Sequence, residues 1–186
     1  MHSNIFIISG PSGAGEDSII EGLSQFIPLE RIITTTTRDR RESDPENAYY
    51  FISKEAFEEG IKNGEFAEYA KQYNGNIYGV TKAELDRVSQ SDMIGVWKME
   101  YQGVMTVKKL FPEIQSILIT VPSLDILEAR IRRRSHVTDE YIKERMEYTK
   151  EWLKHTGIYD HTIVNEEGKL AESIQQSLAI IQQSTK

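Results

Sequence analysis

Ser3-Asn4-Ile5-Phe6-Ile7-Ile8-Ser9-Gly10-Pro11-Ser12-Gly13-Ala14-Gly15-Glu16-Asp17-Ser18 is the stretch that decides the fold. The apolar run Ile5 to Ile8 reads as a buried strand. A glycine-rich turn follows, and then Ile19, Ile20, Leu23 and Phe26 recur at helical spacing. Gly10 and Gly15 match the two glycines of the phosphate-loop pattern Gly-x-x-x-x-Gly-Lys-Ser/Thr. Such glycines let successive backbone N–H groups converge as an anion-binding nest, and the helix behind adds its positive end. The next two positions break the pattern. Glu16 stands where a phosphate-facing lysine belongs, and Asp17 where a magnesium-binding hydroxyl belongs. The scaffold favours phosphate, whereas the Glu16 charge opposes it. A Gly-rich turn with no ligand is the bland alternative.

Composition bounds the rest. A chain of 186 residues suits one domain with a small insert, and 39% hydrophobic with 27% charged residues suits a globular core. The net charge of −7 and pI near 5.2 disfavour a nucleic-acid surface. There is no cysteine, which excludes disulfides and thiolate chemistry. No stretch approaches the roughly 20 apolar residues of a membrane span, and the N-terminal apolar run is too short for a signal peptide. A cytoplasmic protein is expected.

Strand, loop and first helix are predicted over about 4–27, ending at Pro28. The β-branched run 31–37 predicts one strand. Arg38, Arg40 and Arg41 then open a charged loop, and arginines so grouped suit an anion as well as a plain surface. Tyr49 to Ser53 predicts a short strand, and Ser53 caps a helix that Gly64 ends. Residues 65–69 and 76–80 predict two strands around an Asn74-Gly75 turn, and Thr81 caps the next helix. From Met93 onward strands and helices alternate: strands at 93–99, 114–121 and 162–164; helices at 104–110, 124–134, 139–155 and 170–183. This order implies a parallel sheet with helices on both faces and ligands at the carboxyl ends of its strands, where Ser9 and Met99 open. Arg130, Arg134 and Arg145 can lie on a face that reaches over the loop, a solvated basic face being the alternative that the pattern alone does not decide; Arg132 and Arg133 read as that solvated face.

Together these motifs resemble the guanylate kinase family over nearly the whole chain. The carriers are Gly10 to Gly15, Thr36-Thr37-Arg38 with Arg41, Tyr49-Tyr50-Phe51, Glu65 to Ala70, Tyr78-Gly79, Gln102-Gly103, Val121-Pro122-Ser123, Arg130 with Arg134, Arg145, and Ile163-Val164-Asn165. The resemblance implies an α/β fold of the P-loop NTPase type: a parallel sheet covered on both faces, an inserted monophosphate-binding lobe over 34–81, and a helical lid over about 130–148. The core would then be 1–33 and 82–186. It implies transfer of the γ-phosphoryl of ATP to GMP or dGMP with Mg2+, no nucleic-acid or membrane partner, and leaves oligomerisation open.

The implied roles are these. Gly10, Ser12, Gly13, Ala14, Gly15, Glu16, Asp17 and Ser18 line the donor phosphates, with Asp17 on the metal. Arg38, Arg41, Asp44, Tyr49 and Tyr78 hold the acceptor phosphate, and Glu68, Thr81 and Glu100 read guanine. Arg134 and Arg145 close from the lid, and Asn165 lies near the donor adenine. Further departures from the family are Ser43-Asp44, Val80 and Lys98, the last replacing an aspartate. Strand alternation puts Lys98 and Glu100 on one face, so Lys98 is expected to pair with Glu16 and return a positive charge to the loop. Competing classes are a catalytically impaired, guanylate-kinase-like phosphate- or phosphopeptide-binding module and, through Asp17-Ser18 and Tyr78-Gly79-Val80, a ribose 1,5-bisphosphate phosphokinase-like enzyme.

Overall fold

Ile5–Ser9 forms β1, and all five residues are buried because the strand lies at the middle of a parallel sheet. The computed structural model describes residues 2–42, 44–47, 49–72, 75–133 and 137–185. After β1 come α1 (Glu16–Leu23), β2 (Leu29–Arg31), β3 (Thr34–Thr36), β4 (Tyr49–Phe51), α2 (Lys54–Lys62), β5 (Phe66–Lys71), β6 (Ile77–Thr81) and α3 (Lys82–Ser89). The second half holds β7 (Ile94–Lys98), α4 (Tyr101–Leu110), β8 (Gln115–Thr120), α5 (Leu124–Arg132), α6 (Asp139–Leu153), a 3-10 turn (Thr156–Ile158), β9 (His161–Val164) and α7 (Leu170–Ser184).

The main sheet has the order β2-β7-β1-β8-β9, every pairing parallel. Side chains alternate across it. Phe6 and Ile8 join Val96, Ile117, Ile119 and Ile163 on one face, against Ile19, Ile20 and Leu23 of α1, Leu127 and Ile131 of α5, and Leu178 and Ile181 of α7. Ile5, Ile7 and Trp97 point the other way, onto Leu85 and Val88 of α3 and Val104 and Val107 of α4. This is the helix-covered parallel sheet that the alternation of elements implies. Each such side chain contributes about 1.5–3 kcal/mol by leaving water. Truncating Phe6, which is fully buried, to alanine would leave a cavity costing about 3–5 kcal/mol.

Residues 34–81 carry a second sheet of order β4-β3-β6-β5, in which β3 and β4 run parallel and the other pairs antiparallel. Phe57 of α2 stacks on Phe66 of β5, ring centroids 4.1 Å apart, which fixes α2 on this sheet. Ser53 and Thr81 cap α2 and α3, accepting from Ala56 N at 3.1 Å and Glu84 N at 3.2 Å.

The structure corrects two readings of the first third. The single strand expected over 31–37 is two strands in two sheets. Leu29–Arg31 pairs with β7, and Thr34–Thr36 pairs with β4 and β6. The chain crosses between sheets at Ile32 and Ile33, where the buried Glu84 carboxylate accepts the Ile33 N–H at 2.7 Å. Glu84 is itself held by Arg87, which also reaches Glu30. Phe26, placed on the apolar face of the first helix by its spacing, lies beyond the end of α1 and is 55% exposed. Arg134 and Asn74 fall outside the described residues. Among the described residues, no helix is long and apolar enough to cross a membrane.

Candidate active site

The glycine loop leaves β1 at its carboxyl end and enters α1 at Glu16. Gly13 and Gly15 adopt φ +92° and +100°, a region that L side chains rarely enter. At Gly10 the need is space: a Cβ there would meet the Ile119 carbonyl oxygen at 2.4 Å.

Two side chains hold the loop from behind. Asn165, buried at the end of β9, donates from Nδ2 to the Ala14 carbonyl at 2.8 Å. Arg130 of α5 donates to Asn165 O at 3.0 Å and lies 3.4 Å from Gly13 O and Ala14 O. The Asn165 amide, expected near a donor base, is thus engaged with the loop backbone, and Ser173 Oγ donates to its Oδ1 at 3.4 Å. Arg132 and Arg133 make exposed pairs with Glu128, Asp139 and Glu167.

On the open side of the loop, Glu16 folds back. Its Oε2 accepts the Gly15 N–H at 3.1 Å, and the side chain is buried. Burial raises the Glu16 carboxyl above its ordinary value, opposed by its own N–H, by Lys98 and by the Gly15 N–H. The nest therefore already holds an acceptor oxygen of its own.

The expected Glu16–Lys98 ion pair is not what forms. Lys98 Nζ donates to Asp17 Oδ2 at 2.7 Å, and Lys98 bears on Glu16 only through its charge. The reason is where each carboxylate points. Glu16 turns inward to backbone N–H groups, leaving the exposed Asp17 as the partner in reach. Asp17 is not a helix cap: Gly15 occupies the cap position and no side chain bonds there. Ser12 is half-buried and Ser18 exposed.

The strand end itself is pinned by a chain that no local pattern announced. Ser9 Oγ donates to Met99 O at 2.7 Å and accepts from Tyr159 OH at 3.0 Å, while Trp152 Nε1 donates to the Tyr159 oxygen at 3.0 Å. Ser9 and Tyr159 lie 150 positions apart, so sequence spacing carries no signal for their contact.

The second sheet presents arginine and tyrosine. Arg38 donates from Nη2 to both oxygens of Asp44 at 2.9 and 3.0 Å. Its guanidinium also sits 5.3 Å from the Tyr49 ring centroid and 5.5 Å from that of Phe51. Asp44 accepts the Arg41 N–H at 2.7 Å; this backbone bond, then Arg38, holds its carboxyl below the ordinary value. Tyr49 meets Tyr78 edge-on at 6.2 Å. Arg41 is exposed. Such an assembly fixes the Arg38 guanidinium and leaves that of Arg41 exposed, bearing on Asp44 through its charge, which suits a phosphate dianion.

Glu68 on β5 makes no hydrogen bond or ion pair among the described residues, and burial pushes its carboxyl up to about 7. An uncompensated, half-buried carboxylate of this kind is a candidate ligand-facing position. Thr81 Oγ1 accepts from Glu84 N as the α3 cap, and Glu100 accepts from Tyr148 OH at 2.7 Å. Gln102 Oε1 lies at the same distance from that hydroxyl, which burial raises above its ordinary value. Tyr148 belongs to α6, as does Arg145. The Arg145 guanidinium lies 5.1 Å over the Tyr141 ring, and its buried Nε has no hydrogen-bond partner among the described residues.

Known proteins share this plan. The family model described as guanylate kinase matches residues 2–184. The guanylate kinase of Mycoplasmoides gallisepticum is 37% identical over 176 residues, covering 92% of this chain and 90% of that one. That of Idiomarina loihiensis is 35% identical over 168 residues, covering 88% and 80%. The crystal structure of guanylate kinase from Anaplasma phagocytophilum superposes with a TM-score of 0.70 at 23% identity, over 96% of this chain and 84% of that one. With a match of this extent, the chain belongs to the guanylate kinase family.

Proposed function

We propose that the protein transfers the γ-phosphoryl group of ATP to GMP or dGMP. The observation that carries this reading is the acceptor cradle: Arg38, two residues beyond β3, is fixed by Asp44 and two aromatic rings, and β5 of the same sheet carries the uncompensated Glu68. Arg38, Arg41, Tyr49 and Tyr78 hold the acceptor phosphate, Asp44 acts by fixing Arg38, and Glu68, Thr81 and Glu100 face the base. Guanine offers N1–H and an exocyclic amino group, both donors, and ionised Glu68 accepts from them. Adenine presents no donor at N1, so the same carboxylate selects against it.

In the reaction, a phosphate oxygen of GMP attacks the γ-phosphorus in line. The bond from that phosphorus to the β–γ bridging oxygen breaks, and ADP leaves with the electron pair. Little covalent chemistry is asked of the protein; positioning and positive charge do the work. Arg145, its Nε without a partner among the described residues, supplies charge from α6, the family resemblance gives Arg134 the same role, and Asn165 acts on the donor by holding the loop that cradles its phosphates.

The residues fit Mg2+ in the manner usual for this ion, which keeps waters and substrate phosphates as most of its ligands and takes one or two carboxylates. Asp17 is the exposed carboxylate of the loop, and among the described residues no group of three or more acidic or histidine ligands forms a cage. When bound, Mg2+ would supply positive charge against the donor phosphates, and Asp17 is the residue that would hold it. The relatives named above are guanylate kinases, which favours neither the binding-module nor the ribose 1,5-bisphosphate reading. The cytoplasm, where both nucleotides are found, is the place this function implies.

The test is ADP release by the purified chain with ATP, Mg2+ and a panel of nucleoside monophosphates. Turnover with GMP or dGMP well above AMP, CMP and UMP is expected. No acceptor-dependent ADP release with any monophosphate would overturn the reading.

A further inference from the structure

The loop is short of one charge, and the structure shows where another cation stands. The position after Gly15, where the phosphate-loop pattern carries its lysine, is an inward-folded carboxylate. Four observations converge on a replacement. Lys98 is the last residue of β7, paired in parallel register with Ile8 of β1, two residues before the loop starts at Gly10. Alternation puts it on the face of Val96, which packs with Ile19, Ile20 and Leu23 of α1. Its ammonium is already at the first turn of α1, on Asp17 at 2.7 Å. The pair is open to solvent, with side chains 43% and 64% exposed, so the ammonium can leave Asp17 at small cost.

We propose that Lys98, delivered from the neighbouring strand, is the cation that contacts the donor phosphates in place of the missing loop lysine. The assignment rests on the kinase reading above. In the free protein Asp17 holds the Lys98 ammonium beside the nest. When ATP enters, its phosphates displace the Glu16 carboxylate from the Gly15 N–H and draw the ammonium across, which leaves Asp17 free toward Mg2+. A solvated strand-end lysine would do none of this, and the two roles separate by experiment.

ATP and GMP binding are measured by calorimetry on the purified chain, in Mg2+, for Lys98→Met, Lys98→Arg and the double variant Glu16→Lys/Lys98→Met. Lys98→Met is expected to weaken ATP about tenfold or more and to leave GMP unchanged, as loss of a charge-assisted phosphate contact requires. Lys98→Arg keeps the charge and is expected to stay within about threefold of the parent. The double variant moves the cation from β7 to the loop and is expected to recover most of the lost ATP affinity. Unchanged ATP affinity in Lys98→Met overturns the assignment, as does an equal loss for ATP and GMP or the absence of rescue. If the parent chain binds GMP but no ATP, the kinase reading itself fails, and this assignment with it.

Discussion

Glu68 gives the sharpest test of guanine recognition. Its carboxyl is pushed up to about 7 by burial, with no cation or donor among the described residues to stabilise the charge. If only the ionised form accepts from guanine, apparent GMP affinity follows the ionised fraction. That fraction is roughly one-tenth at pH 6, one-half at pH 7 and nine-tenths at pH 8, so affinity rises about tenfold, near 1.4 kcal/mol, across the interval. Binding at pH 7 should also release about half a proton from Glu68. Calorimetry in buffers of different ionisation enthalpy reads both quantities. The second ionisation of a phosphate monoester lies near 6, so GMP itself contributes to the slope. Glu68→Gln separates the two, retaining the ligand's contribution and losing the rest. The effect on folding has the opposite sign. A carboxyl whose pKa is raised in the folded state favours folding when protonated, so its contribution is full below the ordinary value and is lost as pH rises through about 7. Glu68→Gln should therefore melt higher than the parent at pH 8 while binding GMP worse. A variant that binds GMP as the parent does at pH 8, with the same pH profile, would refute the role given to Glu68.

Three further predictions follow from the same geometry. Arg38→Ala should weaken GMP by about 2–4 kcal/mol, because it also strands Asp44; Arg41→Ala, at an exposed position, should cost about 1 kcal/mol, both read by calorimetry. Asp17→Ala should weaken ATP binding in Mg2+ and not in EDTA, where freeing Lys98 leaves affinity equal or higher; the same loss in both would remove Asp17 from the metal. Asn165→Ala should lower stability by about 1–3 kcal/mol in thermal melts, since the buried Ala14 carbonyl loses its shorter donor and keeps only Arg130 at 3.4 Å, and should weaken ATP more than GMP.

Local chemistry was legible where one segment carries the whole signal. The strand–loop–helix of residues 5–23 follows from an apolar run, glycines at fixed spacing and a helical repeat, and the caps at Ser53 and Thr81 follow from residue type. The failures came where a distant group decides. Nothing within 31–37 tells that Glu84 takes the Ile33 N–H and turns the chain from one sheet to the other. The charge exchange at the loop was half legible: alternation puts Lys98 beside α1, but the choice between Glu16 and Asp17 rests on rotamers and on backbone donors that only the folded loop supplies. Asn165 shows the same limit. Its place after β9 was readable, whereas the amide's aim at Ala14 depends on how closely the loop backs onto that strand. Tyr148 and Tyr159 left no local trace because Glu100 and Ser9, which they bond, lie 48 and 150 positions away in sequence.

On the proposed function this loop, with glutamate in place of lysine, still passes a phosphoryl group to GMP. The most direct measurement is transfer of label from ATP radiolabelled at the γ-phosphorus, with stoichiometric purified protein, GMP and Mg2+. The label is expected to move to GDP, with the transfer slowed by Lys98→Met and restored in Glu16→Lys/Lys98→Met. Label that stays on ATP, or that appears as free phosphate independently of GMP, would contradict it.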